Sequence, residues 1–504
     1  MRRRALRSAQ PWALAGVALA MAARPVLADD LSDAIALAYE SNPTLLSQRA
    51  QLQGTDEGFV QAMAGFRPTV SLQTSAGYSK TPQSELFFGV VETESNTGAA
   101  SVSVNQPIYT GGRTTAEVRA AEAQIRAGRE QLRSVEAGVL FAVIQAYSDV
   151  MRDRTALAVQ KESLTALVDE VAEIRARHDA GATTVIDVRQ ADAQLETARA
   201  LVASAEAQLG ASVAEYVAAV GRSPGDLAPP PPLAAVPPSI ETAYEASERE
   251  SPVLRHAEFA EAASRAQVQQ ARAAFRPTVG ISGAYGYQGA LQPLEPRAYD
   301  RAVSVTATLT QPIYSGGVLA SQARQALAQD TSARLDINAA RRAVIQAVTQ
   351  AWTQARAARL NIAAQTAAVQ AAQETFDGMR VEYRAGLRAT LDVLIAEETL
   401  RDARISLAGA VHDEYVAEAS LMQAVGRLEA RVLLQGLPLY RPEVSFRRVE
   451  HSGDLPWQVV PETLDRIGAP ALPAPGPLPE GLTPTGPVRM TPPAATDQPL
   501  ETAR

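Results

Sequence analysis

Cysteine is absent from the 504 residues, which excludes disulfide frameworks, thiolate metal sites, a cysteine nucleophile and an acylated N-terminal cysteine. Histidine is scarce: His178, His256, His412 and His451 stand far apart. No pair has the spacing that places two ligands on one helix face, so neither a metal nor a cofactor is expected. No G-x-S-x-G or comparable motif gathers serine, histidine and aspartate, which leaves a hydrolase without a nucleophile and predicts a protein that is not an enzyme. An excess of basic residues is also missing, the formal charge being −8. Nucleic-acid binding therefore lacks its electrostatic basis. Beyond the first 28 residues there is no apolar run long enough for a membrane helix, so any bilayer insertion must use strands closed into a barrel.

What is present is enough apolar surface for a core, 46% hydrophobic against 20% charged. The opening has a basic start, an apolar run from Trp12 to Ala23 and a Val26-Leu27-Ala28 end, the pattern of a secretory signal peptide. Arg24 and Pro25 break the run too early for a membrane anchor. Mature protein is expected to begin near Asp29. Losing five arginines with the peptide moves the formal charge from −8 to −13.

The rest of the chain is written twice. FRPTV at 66–70 returns at 275–279, an offset of 209, and QPIYTGG at 106–112 returns as QPIYSGG at 311–317, an offset of 205. The second offset also relates Gly181 to Gly386, Asp187-Val188 to Asp392-Val393, and Val220-Gly221-Arg222 to Val425-Gly426-Arg427. Four residues were therefore gained or lost between FRPTV and QPIY, as an exposed loop allows. The expected organisation is a signal peptide (1–28), a first structural repeat (29–232), a second (233–436) and a Pro-rich tail (437–504) that is largely irregular. A proline-dense connector at 224–239 forbids a helix and is expected to be extended and solvent-exposed.

Each repeat opens with alternation. Val70, Leu72, Thr74, Ala76 and Tyr78 oppose Ser71, Gln73, Ser75 and Gly77, and Ala100, Val102 and Val104 oppose Ser101, Ser103 and Asn105. The second repeat does the same with Val279, Ile281, Tyr285 and Tyr287, then Val303, Val305, Ala307 and Leu309. This predicts four strands in two hairpins, each strand about 10 residues long, the length of a tilted membrane strand. Small polar residues off the apolar face suit a wet lumen. Tyr78, Phe87, Phe88, Tyr285, Tyr287 and Tyr299 gather toward the hairpin ends like an interfacial girdle. Alternation alone leaves a soluble sheet with one wet face equally open.

No proline falls between Pro107 and Pro224 or between Pro312 and Pro438, and both stretches are rich in helix formers. Leu157, Leu164 and Val171 repeat every seven residues, with Ile362, Val369 and Phe376 in register. That is a coiled-coil seam. A helix from Arg113 to Asp179 is about 100 Å long at 1.5 Å per residue. Gly181 and Gly386 end the long helices, and a second helix returns to Gly221 and Gly426.

Four strands cannot enclose a water-filled lumen, and unpaired edges in a bilayer cost several kcal/mol per group. A membrane reading thus requires self-association. At this point the chain resembles the TolC family of Gram-negative outer-membrane channel-tunnels. The resemblance rests on QPIYTGGR, QPIYSGG, the NPTLL and SPVLR openings of the halves and the YRAGLRATLDV turn. It implies an α+β membrane protein: a homotrimer whose 12-strand transmembrane β-barrel is continued by a long periplasmic α-helical barrel. It also implies an outer-membrane exit duct extending into the periplasm and docking to a periplasmic adaptor (membrane fusion) protein. Behind the adaptor stands an inner-membrane ABC or other export transporter, and the cargo is exported protein or small molecules. Residues 146–154 and 177–195 are most similar to the type I secretion branch, with multidrug efflux as the alternative. An exported coiled-coil scaffold remains the alternative of another class.

By the same similarity Tyr383, Arg388 and Asp392 match the periplasmic constriction, and Asp187 matches the partner of the arginine. A half-exposed Arg388–Asp187 link is weak enough for a docking partner to break. Three copies of Asp392 around an axis favour cations. Ile395 stands where the family has a second acid. Thr184 and Asp187 also read as a capping box, and Tyr383 continues the heptad after Phe376, so capping and packing are competing readings of these positions.

Overall fold

The computed structural model describes residues 30–85, 89–233, 236–290, 299–434, 439–469 and 471. The expected signal peptide and Phe87 and Phe88 lie outside them. The chain begins with α1 (Leu31–Ser41) and α2 (Pro43–Met63), which a short 3-10 turn leads into β1 (Thr69–Glu85). Then come β2 (Gly89–Tyr109), α3 (Arg113–Asp179) and α4 (Val185–Val220). The order repeats as α5 (Ile240–Glu250), α6 (Pro252–Ala273), β3 (Thr278–Ala290), β4 (Tyr299–Thr310), α7 (Val318–Arg384) and α8 (Thr390–Val425). Three short helices close the described chain: α9 (Ala430–Leu433), α10 (Pro442–Val449) and α11 (Val459–Ile467).

The NPTLL and SPVLR openings are the breaks between paired helices. Asn42 Oδ1 accepts the Thr44 N–H at 3.0 Å, and Pro43 and Pro252 occupy first-turn positions that need no amide hydrogen. The sheet is antiparallel throughout, in the order β1-β2-β3-β4, leaving β1 and β4 as edges. The repeat holds at atomic detail: Gln106 Nε2 donates to Phe66 O at 2.9 Å, and Gln311 Nε2 to Phe275 O at 3.0 Å.

β3 and β4, with 13 and 12 residues, are near the expected strand length, but β1 and β2 run to 17 and 21. β2 gains Gln106–Tyr109 at its helix end, and the rest of the excess is at the hairpin end, where Lys80 faces Glu94 in register and pairs with Glu92 at 2.5 Å. Charges there mark strand that continues into water. Toward the helices, Val70, Leu72, Val303, Val305 and Leu309 are all exposed on one face.

α3 and α7 have 67 residues each, and their returning partners α4 and α8 only 36. α2 and α6 pack along α3 and α7 beside the sheet and supply the rest of the second layer. The seam on α3 is Leu164, Leu167, Val171 and Ile174, closed by Ala191, Leu195 and Ala198 of α4. Of the expected set, Leu157, Ile362, Val369 and Phe376 are only half-buried within one protomer. The largest core gathers Ile35, Leu45, Leu140, Ile144, Tyr147 and Leu428, where α1 to α4 meet the chain leaving α8.

Two expectations are corrected. The connector at 224–239 is extended but not simply solvent-exposed, because Leu227 is buried in that core and Ala228 O accepts from the Tyr147 hydroxyl. Part of the tail is ordered: α10 and α11 lie against the first repeat, Phe446 meeting Phe59 edge-on at 5.3 Å. Proline density argued against structure there, yet Pro442 sits harmlessly in a first turn. Among the described residues no helix is long and apolar enough to cross a membrane.

Candidate functional site

The two helical hairpins end in turns of the same construction. Gly181 and Gly386 both adopt φ +76°, which a side chain would strain. The amides that follow reach back over the last helical turn, Ala182 N to Arg177 O at 2.8 Å and Leu387 N to Glu382 O at 2.9 Å. All four gate candidates sit on or beside these turns.

Asp187 is engaged as a cap. Its Oδ2 accepts the Thr184 N–H at 2.9 Å and the Thr184 hydroxyl at 2.8 Å, while Asp187 N–H donates to Thr184 Oγ1 at 3.3 Å. These bonds hold its carboxyl below the usual carboxylate range. Asp392 keeps half of that device, accepting the Ala389 N–H at 3.3 Å. Within the protomer Arg388 pairs with Glu382 Oε2 at 2.7 Å, both side chains half-exposed. Tyr383 is 7% exposed. Its hydroxyl lies 3.4 Å from Thr390 Oγ1, and the Arg177 guanidinium stands 4.6 Å over its ring, joining the two hairpins. Val185, Ile186 and Leu387 leave an apolar surface on the outermost residues.

Arg177 and Glu382 were not singled out from the sequence, although the offset of 205 aligns them as opposite charges on equivalent turns. Also missed is a cavity of about 430 Å³ between α3, α7 and α8, lined by Glu170, Glu397, Arg380, Arg401 and Arg404 among others. Burial, with Glu397 and Glu173 nearby, pushes the Glu170 carboxyl up to about 7. Burial raises Glu397 as well. Deeper, His412 of α8 sits between Asp149 Oδ1 of α3 and Asp413 Oδ1, 2.9 Å from each. Burial opposes its charge, but the two carboxylates raise its pKa overall. Single polar residues inside a helical pattern carry no periodic signal, so nothing in the sequence marks them.

Nothing in this arrangement resembles a reaction centre; it is a set of weak ties between helix pairs, at the tips and just above. The family model described as outer membrane efflux protein matches residues 34–222 and 243–427. The outer membrane efflux protein BepC of Brucella suis is 32% identical over 424 residues, covering 84% of this chain and 91% of BepC. The outer membrane protein TolC of Vibrio cholerae is 24% identical over 420 residues, covering 82% and 94%. Among solved structures, the CmeC outer membrane channel of Campylobacter jejuni superposes with a TM-score of 0.72 at 14% identity, covering 83% of this chain and 88% of that one.

Proposed function

Because the chain belongs to the outer membrane efflux protein family, and is thus an outer-membrane exit duct rather than an enzyme, we propose that three copies close its sheet into a 12-strand barrel. The long helices then form a tunnel through the periplasm. The observation that carries this is an asymmetry between the repeats. The QPIYTGG junction of the first repeat is covered by its own chain, Arg276 donating to Gly111 O at 2.9 Å. Its copy in the second repeat is bare, with Ile313 95% and Tyr314 90% exposed. A surface built twice and covered once calls for a second copy of the chain at the β4 edge.

The repeat also supplies the register. Within the protomer Asn105 faces Ser282; moved by the two offsets, Thr310 faces Gln73 of the next protomer. Since the chain has no cysteine, the double variant Gln73→Cys/Thr310→Cys should oxidise to a covalent trimer, whereas Gln73→Cys/Leu309→Cys should not. Monomer alone from the first pair, in protein shown to be inserted in membrane, contradicts the closure.

The domain boundaries at 28, 232 and 436 follow the repeat. In this reading the glycine turns form the periplasmic entrance, with Asp187, Tyr383, Arg388 and Asp392 as its gate. Arg388 leaves Glu382 for Asp187 of a neighbouring coil in the closed state, and three Asp392 carboxylates give the mouth its cation preference. Val185, Ile186 and Leu387 suit docking to a periplasmic adaptor that couples the duct to an inner-membrane transporter. The cargo is exported protein of the type I secretion kind, which residues 146–154 and 177–195 resemble. Similarity to an outer membrane efflux protein of Brucella suis favours efflux as a second reading.

A further inference from the structure

α11 has two unlike faces. Gln458, Pro461 and Asp465 are buried against the first repeat. Asp465 has no exposed surface: Oδ1 accepts Thr110 N–H at 2.8 Å and Gly112 N–H at 2.9 Å, and Oδ2 accepts Thr115 N–H at 3.1 Å. The other end is held by Arg67, which donates to Gln458 Oε1 at 3.1 Å and pairs with Asp454 at 2.8 Å. On the flank beside that face, Trp457 just before the helix and Val460, Leu464 and Ile467 on it, spaced three, four and three residues apart, are 54%, 56%, 39% and 80% exposed. An amphipathic helix clamped by its polar face and presenting an apolar stripe outward is the arrangement of an interfacial membrane anchor.

Its place in the fold selects the occupant. β2 slips by one residue between Pro107 and Tyr109, so that Tyr109 pairs with Val279 and shares the side of Ile281 and Tyr285. That is the exposed apolar side of the sheet. Gly468, just past α11, lies so close to Tyr109 that an added side-chain carbon would meet the ring at 2.8 Å. α11 therefore lies on the outer face of the wall. Arg67, which it grips, precedes the exposed Val70 by three residues, about 10 Å of extended chain. The stripe is thus continuous with the lipid-facing surface, and tryptophan at one end is typical of a bilayer interface. A neighbouring copy joins along the strand edges, within the wall, whereas α11 lies on its outer side.

We infer that α11 is a monotopic anchor whose Trp457–Val460–Leu464–Ile467 stripe enters the periplasmic leaflet of the membrane around the barrel. This rests on the barrel reading above. Trp12 falls in the expected signal peptide, so Trp352→Phe leaves Trp457 as the one tryptophan of the mature protein. That protein is reconstituted in vesicles of phosphatidylethanolamine and phosphatidylglycerol, with or without acyl chains brominated near the headgroup. Brominated lipid should quench Trp457 emission about twofold, as expected for an indole among acyl chains. The Trp352→Phe/Trp457→Phe protein gives the background that remains without tryptophan. Emission that resists both brominated lipid and iodide would place the stripe against another copy. Emission quenched by iodide alone would place it in water, and either result overturns the anchor. Conductance of the same vesicles reports barrel insertion separately, so a conducting protein with unquenched Trp457 defeats the anchor and spares the barrel.

Discussion

At the scale of single residues, Asp465 shows how a short tail is fixed to a long molecule. Burial alone would raise its carboxyl, but the amides of Thr110 and Gly112 and the hydroxyls of Thr110 and Thr115 hold it below the usual range. Its contribution is therefore present above the ordinary carboxylate pKa and lost as pH falls through the lowered one. Asp465→Asn replaces one acceptor oxygen with an amide donor facing N–H and O–H donors and should weaken docking of the tail by about 2 kcal/mol. Limited proteolysis at neutral pH should then cut between 439 and 469 in the variant but not in the parent protein. Nothing in the sequence announced this contact, since Asp465 bonds to a turn some 350 residues away. The Thr184–Asp187 box, by contrast, was legible because its partners are three residues apart.

Among elements, the coils meet at groups whose pKa values are raised. His412 links α8 to Asp149 of α3 with a raised pKa, so its stabilisation is complete below about 6.5 and fades as pH rises through the raised value. Glu170 is raised to about 7 between α3 and α7, so its ionisation opposes packing progressively from its ordinary range up to that value. Both act in one direction: the contacts of α7 and α8 with α3 should loosen between pH 5 and 8. Hydrogen exchange in residues 370–412 should quicken over that range beyond its intrinsic pH dependence, and Glu170→Gln should remove part of the excess. An equal excess in parent and variant would take Glu170 out of the account. The helices were legible element by element, because a proline-free run with glycine stops defines α3, α4, α7 and α8 from local chemistry. The pairs α1–α2 and α5–α6 were noticed only as motifs. They are short, and their role is to complete a layer that α4 and α8 are too short to cover.

The whole molecule is half-satisfied in every layer. The sheet has two free edges, the second QPIY junction is bare, and the outer positions of the second coil are half-buried. The free β4 edge and the bare junction have filled counterparts in the first repeat, so the chain carries its own template for the contact it needs. Duplication made that much legible from sequence alone. The proposed gate was less so, because its ties would be defined by which coil a charge meets, and Arg388 meets Glu382 within one protomer. A membrane duct with the proposed narrow, charge-held mouth is tested most directly by single-channel current of the purified mature protein in a planar lipid bilayer, beside Arg388→Ser. Small, stable, cation-preferring steps that grow when the arginine is removed are the predicted result. Absence of current from a verified, folded trimer would contradict the account.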